Sequence, residues 1–155
     1  MTDDIRDVKS LQSAATKLGF STISSSVLSY LGDAAYELYV RKYVFDMGAM
    51  KPDLLNRETV RYVRAESQAL AYDAIYDELD ELEKGVARRG KNHKITSMPH
   101  NLDTMTYKKA TGFEALIGYL FLEERAERIK EVLEKAFKII EAEPETANMH
   151  CRKNR

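Results

Sequence analysis

The chain has 155 residues, 44% hydrophobic and 32% charged, the balance of one globular domain that can bury a core without staples. Seven glycines and three prolines are too few for a turn-rich sandwich or barrel, and the single cysteine, Cys151, excludes an intramolecular disulfide framework. No apolar run approaches the ~20 residues that span a bilayer and the start, MTDDIRDVK, is too acidic for a signal peptide, so the expected location is the cytoplasm, away from membranes.

The net charge of −1 hides a strong asymmetry. From Asp73 to Glu83 there are six acids and no base, whereas the 19 residues from Lys84 to Leu102 hold five Lys or Arg, two His and no acid.

In chain order, residues 1–22 begin as a polar, variable segment with a weak helical pattern through Leu11, Ala14, Ala15 and Leu18. Ser24, Ser25 and Ser26 can cap a helix running from about Val27 to Phe45, which Gly48 closes. Pro52 marks a turn or a short helix. The spacing of Val60, Val63, Leu70 and Ala74 predicts one long helix from Arg57 to Tyr76. Leu79, Leu82 and Val86 predict an amphipathic helix that Gly90 stops, followed by a loop over Gly90–Met105. A helix resumes near Tyr107 through GFEALIGYLFLEE, and a last amphipathic one uses Ile129, Val132, Leu133, Phe137 and Ile140. The expected organisation is one all-α domain over residues 23–141, a compact helical bundle, with a mobile tail over 142–155.

Two helices carry acids where acids are costly. VLSYLGDAAYELYVRKYVF is apolar nearly all round, which predicts a buried helix, yet Asp33 lies in its middle beside Gly32. GFEALIGYLFL is as apolar, and Glu114 is its one charge, close to Gly112. A buried carboxylate must be neutralised, paired or metal-bound. No cation sits at helical spacing on the same face, which speaks against a purely structural ion-pair network. Two acids on two glycine-bearing helices point instead to a shared hard cation, Mg²⁺ or in its place Mn²⁺, since Cys and clustered His are missing. Glu37, one turn beyond Asp33, can reach a metal or pair with Arg41.

Smaller features take plainer readings. Tyr36, Tyr39, Tyr43 and Phe121 read as core or subunit interface rather than stacking platforms for bases. His93 and His100 read as incidental loop histidines, and His150 with Cys151 as no more than two isolated ligands in the tail.

The two acidic segments resemble the ribonuclease III catalytic domain, whose signatures have the form E-x-L-G-D-A and D-x-x-E-A-L-x-G. Here they read Ser29-Tyr30-Leu31-Gly32-Asp33-Ala34 and Thr111-Gly112-Phe113-Glu114-Ala115-Leu116-Ile117-Gly118. Asp33 and Glu114 match two of the family's metal-binding acids, and Ser29 and Thr111 stand at the other two. That departure, with AESQA at Ala65–Ala69, ARRGKN at Ala87–Asn92, and Tyr107, resembles the Mini-ribonuclease III branch, which lacks a separate double-stranded-RNA-binding domain. The resemblance implies an all-α homodimeric, magnesium-dependent endoribonuclease with Asp33 and Glu114 as catalytic and metal residues. Ser29, Thr111 and Tyr107 then support the site. It also implies double-stranded RNA as substrate, specifically the ends of the large-subunit (23S) ribosomal RNA precursor, with ribosomal proteins as possible helpers and products ending in 5′-phosphate and 3′-hydroxyl.

The basic segment supplies the expected phosphate contacts: Arg88, Arg89, Lys91, Asn92 and Lys94 around Gly90. The rival reading is a catalytically inactive RNA-binding or ribosome-associated module on the same fold. The missing acids at Ser29 and Thr111 favour it, and the retention of two costly ones opposes it.

Overall fold

The computed structural model describes residues 23–48 and 50–144; the helical pattern at Leu11–Leu18 and the pair His150 and Cys151 lie outside them. The described residues form six α-helices and one short 3₁₀ turn, with no strand. None of these helices is long and apolar enough to cross a membrane.

Helix α1, Ser25–Asp46, starts where the Ser24 side chain accepts the Val27 amide. It ends at Gly48, whose φ of 93° suits a residue without a side chain and whose N–H closes on the Phe45 carbonyl. Helix α2, Pro52–Val63, has proline in its first turn, where the missing N–H costs nothing.

The single helix expected over Arg57–Tyr76 is two. Helix α3, Ala65–Ile75, is separated from α2 by Arg64, whose ψ of 151° is extended. Side chains replace the backbone bonds lost at this corner: Ser67 Oγ donates to the Arg61 carbonyl at 2.6 Å and Gln68 Nε2 to the Val63 carbonyl at 2.8 Å. Apolar spacing runs through the corner without interruption, so periodicity alone does not reveal it.

After the 3₁₀ turn Tyr76–Glu78, helix α4, Glu81–Asn92, opens with a capping box between Asp80 and Glu83. Gly90 does not stop it, contrary to expectation. The helix runs two residues further, and Gly90 is the point at which it presses on the next helix: a Cβ there would lie 2.7 Å from Ala115 Cβ and 3.1 Å from Gly112 Cα. The connecting loop is therefore only residues 93–103. Helix α5, Thr104–Leu122, begins three residues before Tyr107, capped by Asp103. Helix α6, Ala126–Ala142, follows the left-handed Glu124.

Helix α5 is the centre of the bundle and packs on α1, α3, α4 and α6. Phe113, Leu116, Ile117 and Leu120 are fully buried in it. Tyr36 and Val40 of α1 and Ile129 and Phe137 of α6 close around them. The Tyr36 ring meets Phe113 edge-on at 5.0 Å, and its hydroxyl donates to the Tyr62 carbonyl at 2.9 Å, so its polar end is satisfied.

The expectation that α1 is buried on all sides fails. Val27, Tyr30, Leu38 and Phe45 are 48%, 78%, 70% and 55% exposed and form a stripe along its outer face.

Of the described glycines, those with the least room lie where α1 meets α5. A Cβ on Gly32 would overlap the Glu114 carbonyl and lie 2.8 Å from Gly118 N, and one on Gly118 would overlap the Leu28 carbonyl. The glycine that α5 offers to α1 is thus Gly118. Gly112 serves the contact with α3 and α4 instead, facing Tyr72 and the Ala87 carbonyl.

One acid of the acidic segment is structural. Glu83 is fully buried, and its carboxylate accepts from Arg128 Nε and Nη2, both at 2.9 Å, and from the Asp80 amide at 3.0 Å, with Arg125 at 3.2 Å. Burial pushes its pKa up, but the Arg128 hydrogen bonds, the Asp80 amide and the charges of Arg128 and Arg125 outweigh it and hold the carboxyl below its ordinary 4.5.

Two expectations follow from this packing. Glu83→Gln takes the shared buried carboxylate from Arg128 and Arg125 and should cost about 3 kcal/mol, the lower end for a broken buried pair because the arginines keep Glu131 and Asp80 as partners. Because the folded pKa lies below the unfolded one, the stabilisation is present above pH 4.5 and lost as pH falls through the depressed value. Urea unfolding from pH 7 down to pH 3 should therefore show a flatter acid limb in the variant. Gly32→Ala should cost about 3 kcal/mol, at the upper end for overpacking, because the added methyl meets backbone that cannot rotate away. Thermal melts of the purified variant measure that loss.

Candidate active site

Asp33 follows Gly32 on α1, and Glu114 is the residue whose carbonyl Gly32 touches, so the tightest helix crossing in the molecule brings the two acids together. Asp33 stands at an exposed rim and Glu114 behind it, half-buried. Both are lifted from their ordinary values. Burial drives Glu114 to about 8; the charge of Asp33 and a hydrogen bond to it add to the rise, while a hydrogen bond from Gln68 opposes it. Lost hydration and then the charge of Glu37 raise Asp33, and its hydrogen bond with Glu114 acts the other way. Burial and the neighbouring Asp33 charge thus both favour the neutral form of Glu114.

Such a pair accepts a cation in place of its proton. Among the described residues neither acid has a salt-bridge partner, and no group of three or more His, Cys, Asp or Glu converges. Two carboxylate oxygens with space for water suit Mg²⁺, which keeps several of its own waters, better than a metal that needs a closed protein cage.

The acids open into a cleft of about 240 Å³ lined by α1, the end of α4, the following loop and the first turns of α5. Ser29 and Thr111 face each other at its base: Ser29 Oγ donates to the Thr111 carbonyl at 3.0 Å, and Thr111 Oγ1 donates to the Tyr107 carbonyl at 2.9 Å. Both hydroxyl protons are thus taken by backbone, leaving uncharged lone pairs toward the cleft. Tyr107 lines the same wall.

Of the basic residues named from sequence, Lys91 and Lys94 line the cleft, as does His93. Lys91 Nζ also lies 5.9 Å from the centre of the Tyr72 ring. Arg88 and Arg89 are exposed on α4, and Asn92 ends that helix; none of the three lines the cleft, and neither does His100. Glu37 is held by Arg41 at 2.6 Å, and it too lies off the cleft.

Among the lining residues that escaped the sequence reading are Tyr30, Ile95, Thr96 and Lys108. Lys108 was in principle visible, because it sits three residues before Thr111 and so one turn away on the same helix face. Thr96 belongs to the loop, where no periodicity applies.

The comparisons with known proteins agree with this geometry. The family model described as "Ribonuclease III domain" matches residues 26–125. The chain is 43% identical over 126 residues to "Mini-ribonuclease 3" of Thermoanaerobacter sp. (strain X514), an alignment covering 81% of this chain and 89% of that one. It is 42% identical over 120 residues to the protein of the same name from Symbiobacterium thermophilum, covering 77% and 92%. The crystal structure of a protein from Fusobacterium nucleatum superposes with a TM-score of 0.69 at 38% identity, covering 76% of this chain and 93% of that one. With its acids on the paired glycine-bearing helices and its similarity to these relatives along most of its length, the chain belongs to the ribonuclease III family, in the Mini-ribonuclease III branch.

Proposed function

We propose that this protein is a magnesium-dependent endoribonuclease that cuts double-stranded RNA and trims the paired ends of the large-subunit ribosomal RNA precursor. The observation that carries the reading is that Asp33 and Glu114, without a salt-bridge partner among the described residues, line one cleft with Lys91, Lys94 and Lys108. The names of the relatives support ribonuclease activity. The lysines support an RNA backbone as ligand, since duplex RNA is recognised mainly through its shape, phosphates and 2′-hydroxyls.

In this mechanism Asp33 and Glu114 would hold Mg²⁺, or Mn²⁺ in its place. When bound there, the ion supplies a polarised phosphate and a more acidic water. Asp33 at the rim and Glu114 behind it give two oxygen ligands from different helices and leave the solvent side open to RNA. Lys91, Lys94 and Lys108 draw the phosphate backbone into the cleft, with Arg88 and Arg89 extending the basic surface along α4. Ser29 and Thr111, neutral where relatives of the wider family carry acids, keep the cleft less negative and so less repulsive to phosphate. The expected products end in 5′-phosphate and 3′-hydroxyl.

The exposed stripe Val27, Tyr30, Leu38 and Phe45 on α1 supports a homodimer. Apolar residues at helical spacing on an outer face suit self-association about a two-fold axis, and Tyr30 belongs both to the stripe and to the cleft. A dimer would set two sites side by side, one for each strand of a duplex.

Incubation with a perfect RNA duplex, with and without Mg²⁺, tests the activity. Asp33→Asn and Glu114→Gln should each lower cleavage by more than about 100-fold, because a direct ligand contributes at least as much as the groups that orient it. The melting temperature of the metal-free Glu114→Gln variant should be unchanged or higher, as it loses a carboxyl that burial disfavours. Wild-type turnover in either variant refutes the site. A wild-type protein that binds duplex but never cuts it would favour the inactive module instead, the reading that Ser29 and Thr111 favour. For assembly, light scattering should give twice the 17.7 kDa chain mass, and Leu38→Glu should return the monomer value. A wild-type monomer with full activity would exclude the dimer.

A further inference from the structure

Hydroxyl-bearing side chains line the cleft beside the lysines, and they are not equivalent. Ser29 and Thr111 give their protons to backbone carbonyls. Ser26 Oγ lies 3.1 Å from Ser24 Oγ at the start of α1. Tyr30 is 78% exposed on the outer stripe of α1, and Thr96 lies in the loop 93–103. Tyr107 differs from all of these. It is half-buried, it stands on a rigid helix, and its phenolic hydroxyl has no hydrogen-bond partner among the described residues. Its backbone is tied down: the amide donates to the Asp103 carbonyl at 3.0 Å, and the carbonyl accepts from Thr111 Oγ1 at 2.9 Å. Tyr107, Thr111 and Glu114 follow one another at helical spacing along one face of α5. The tyrosine therefore stands on the same stripe as Glu114, about 10 Å away along the helix axis. The next residue, Lys108, lines the cleft without an ion-pair partner among the described residues, whereas Lys109 turns to Asp73 at 2.7 Å.

We propose that Tyr107 reads the sugar of the substrate: its hydroxyl hydrogen-bonds a ribose 2′-hydroxyl of the strand in the cleft, at a nucleotide beside the cut, and so selects RNA over DNA. This rests on the reading of the cleft as the place where duplex RNA is cut. The lysines mark a track for phosphates, and between successive phosphates of a strand lies a ribose. A neutral hydroxyl set among those lysines therefore meets sugar. A phenol both donates and accepts, as a 2′-hydroxyl does, so each can satisfy the other. The wide, shallow minor groove of an RNA duplex displays those hydroxyls, and they are what distinguishes RNA from DNA at a given site. The cleft, about 240 Å³, is smaller than the roughly 300 Å³ at which pockets begin to enclose a drug-sized molecule. A sugar with its phosphate enters it, and the paired bases stay outside. The separation from Glu114 sets the contact at a neighbouring nucleotide. Ser29 and Thr111 cannot take this part, because their protons are already given to carbonyls.

The test pairs one protein group with one RNA group. Fluorescence anisotropy measures binding of the full-length protein to a labelled duplex without divalent metal, so that binding is read apart from cleavage. The duplex is all RNA, or carries a single 2′-deoxynucleotide at one of the positions flanking the cuts mapped on the all-RNA duplex. For the wild-type protein, one such position should weaken binding by about 3–10-fold, the worth of a neutral hydrogen bond. Tyr107→Phe should bind the all-RNA duplex more weakly by the same factor, and should bind that deoxy duplex as well as wild type does. Losses that add instead of coinciding overturn the proposal. So does an unchanged affinity in Tyr107→Phe, or a wild type insensitive at every position. Lys108→Gln is the contrast: it should weaken RNA and deoxy duplexes equally and flatten the salt dependence, which Tyr107→Phe should leave as it is. Tyr107→Phe removes no bond within the described residues, so its melting temperature should match wild type; a lowered value would put the hydroxyl in a bond inside the protein and also overturns the proposal. Cleavage with Mg²⁺ separates the two claims. If wild type does not cut the all-RNA duplex, the reading of the cleft fails and takes this proposal with it. If it cuts and the two losses do not coincide, only the role of Tyr107 falls.

Discussion

The contact on which this structure depends is backbone against backbone, where α1 crosses α5 at Gly32 and Gly118. Helix axes usually stay 8–10 Å apart because side chains lie between them. Here each glycine presses on a carbonyl of the other helix, at Glu114 and at Leu28, with no room for a methyl group. The residues of the candidate site are neighbours of that crossing. Asp33 is the next residue after Gly32, and Glu114 supplies the carbonyl that Gly32 meets. Ser29, one turn earlier, bonds the Thr111 carbonyl one turn before Glu114. The site is thus placed by two rigid helices held at their shortest separation, so its geometry tolerates little slack.

The fold treats the carboxylates of its core and its cleft in two opposite ways. Glu83 is surrounded by Arg128, Arg125 and a backbone amide, and stays ionised. It ties α4 to α6 and has no chemistry left to offer. Asp33 and Glu114 have no guanidinium paired with them among the described residues, and both carboxyls are raised from their ordinary values. The difference lies in the supply of countercharge rather than in residue type. An acid whose charge is met by protein is structural; acids whose charge is left to be met from outside make a place for a cation.

Helix α1 serves two masters along its length. One face carries Tyr36, Val40 and Val44 into the core; the other shows Val27, Tyr30, Leu38 and Phe45 to solvent. Asp33 lies at the edge of that outer stripe, so the surface proposed for a second subunit and the surface proposed for RNA share a border. That arrangement explains how a helix can be apolar nearly all round in a chain too small to bury it all.

The sequence by itself determined the helical class, the approximate span of most helices and the identity of the two acids, because amphipathic spacing and a lone carboxylate in an apolar helix are local patterns. The match of Ser29-Tyr30-Leu31-Gly32-Asp33-Ala34 and of the segment around Glu114 to a known family added the pairing of the two helices. Tertiary structure alone decided what those patterns faced. Gly90 looks like a helix stop, because glycine is a poor helix former; only the presence of α5 shows it to be a contact point. Arg57–Tyr76 looks like one helix, because the corner at Arg64 is made by side chains bonding carbonyls, which leaves the apolar period undisturbed. The basic run divides into Lys91 and Lys94 inside the cleft and Arg88 and Arg89 outside it, a split that depends on which side of α4 meets α5. A sequence records which side chains can carry charge or donate a hydrogen bond, but which charges are answered, and by what, depends on neighbours distant along the chain.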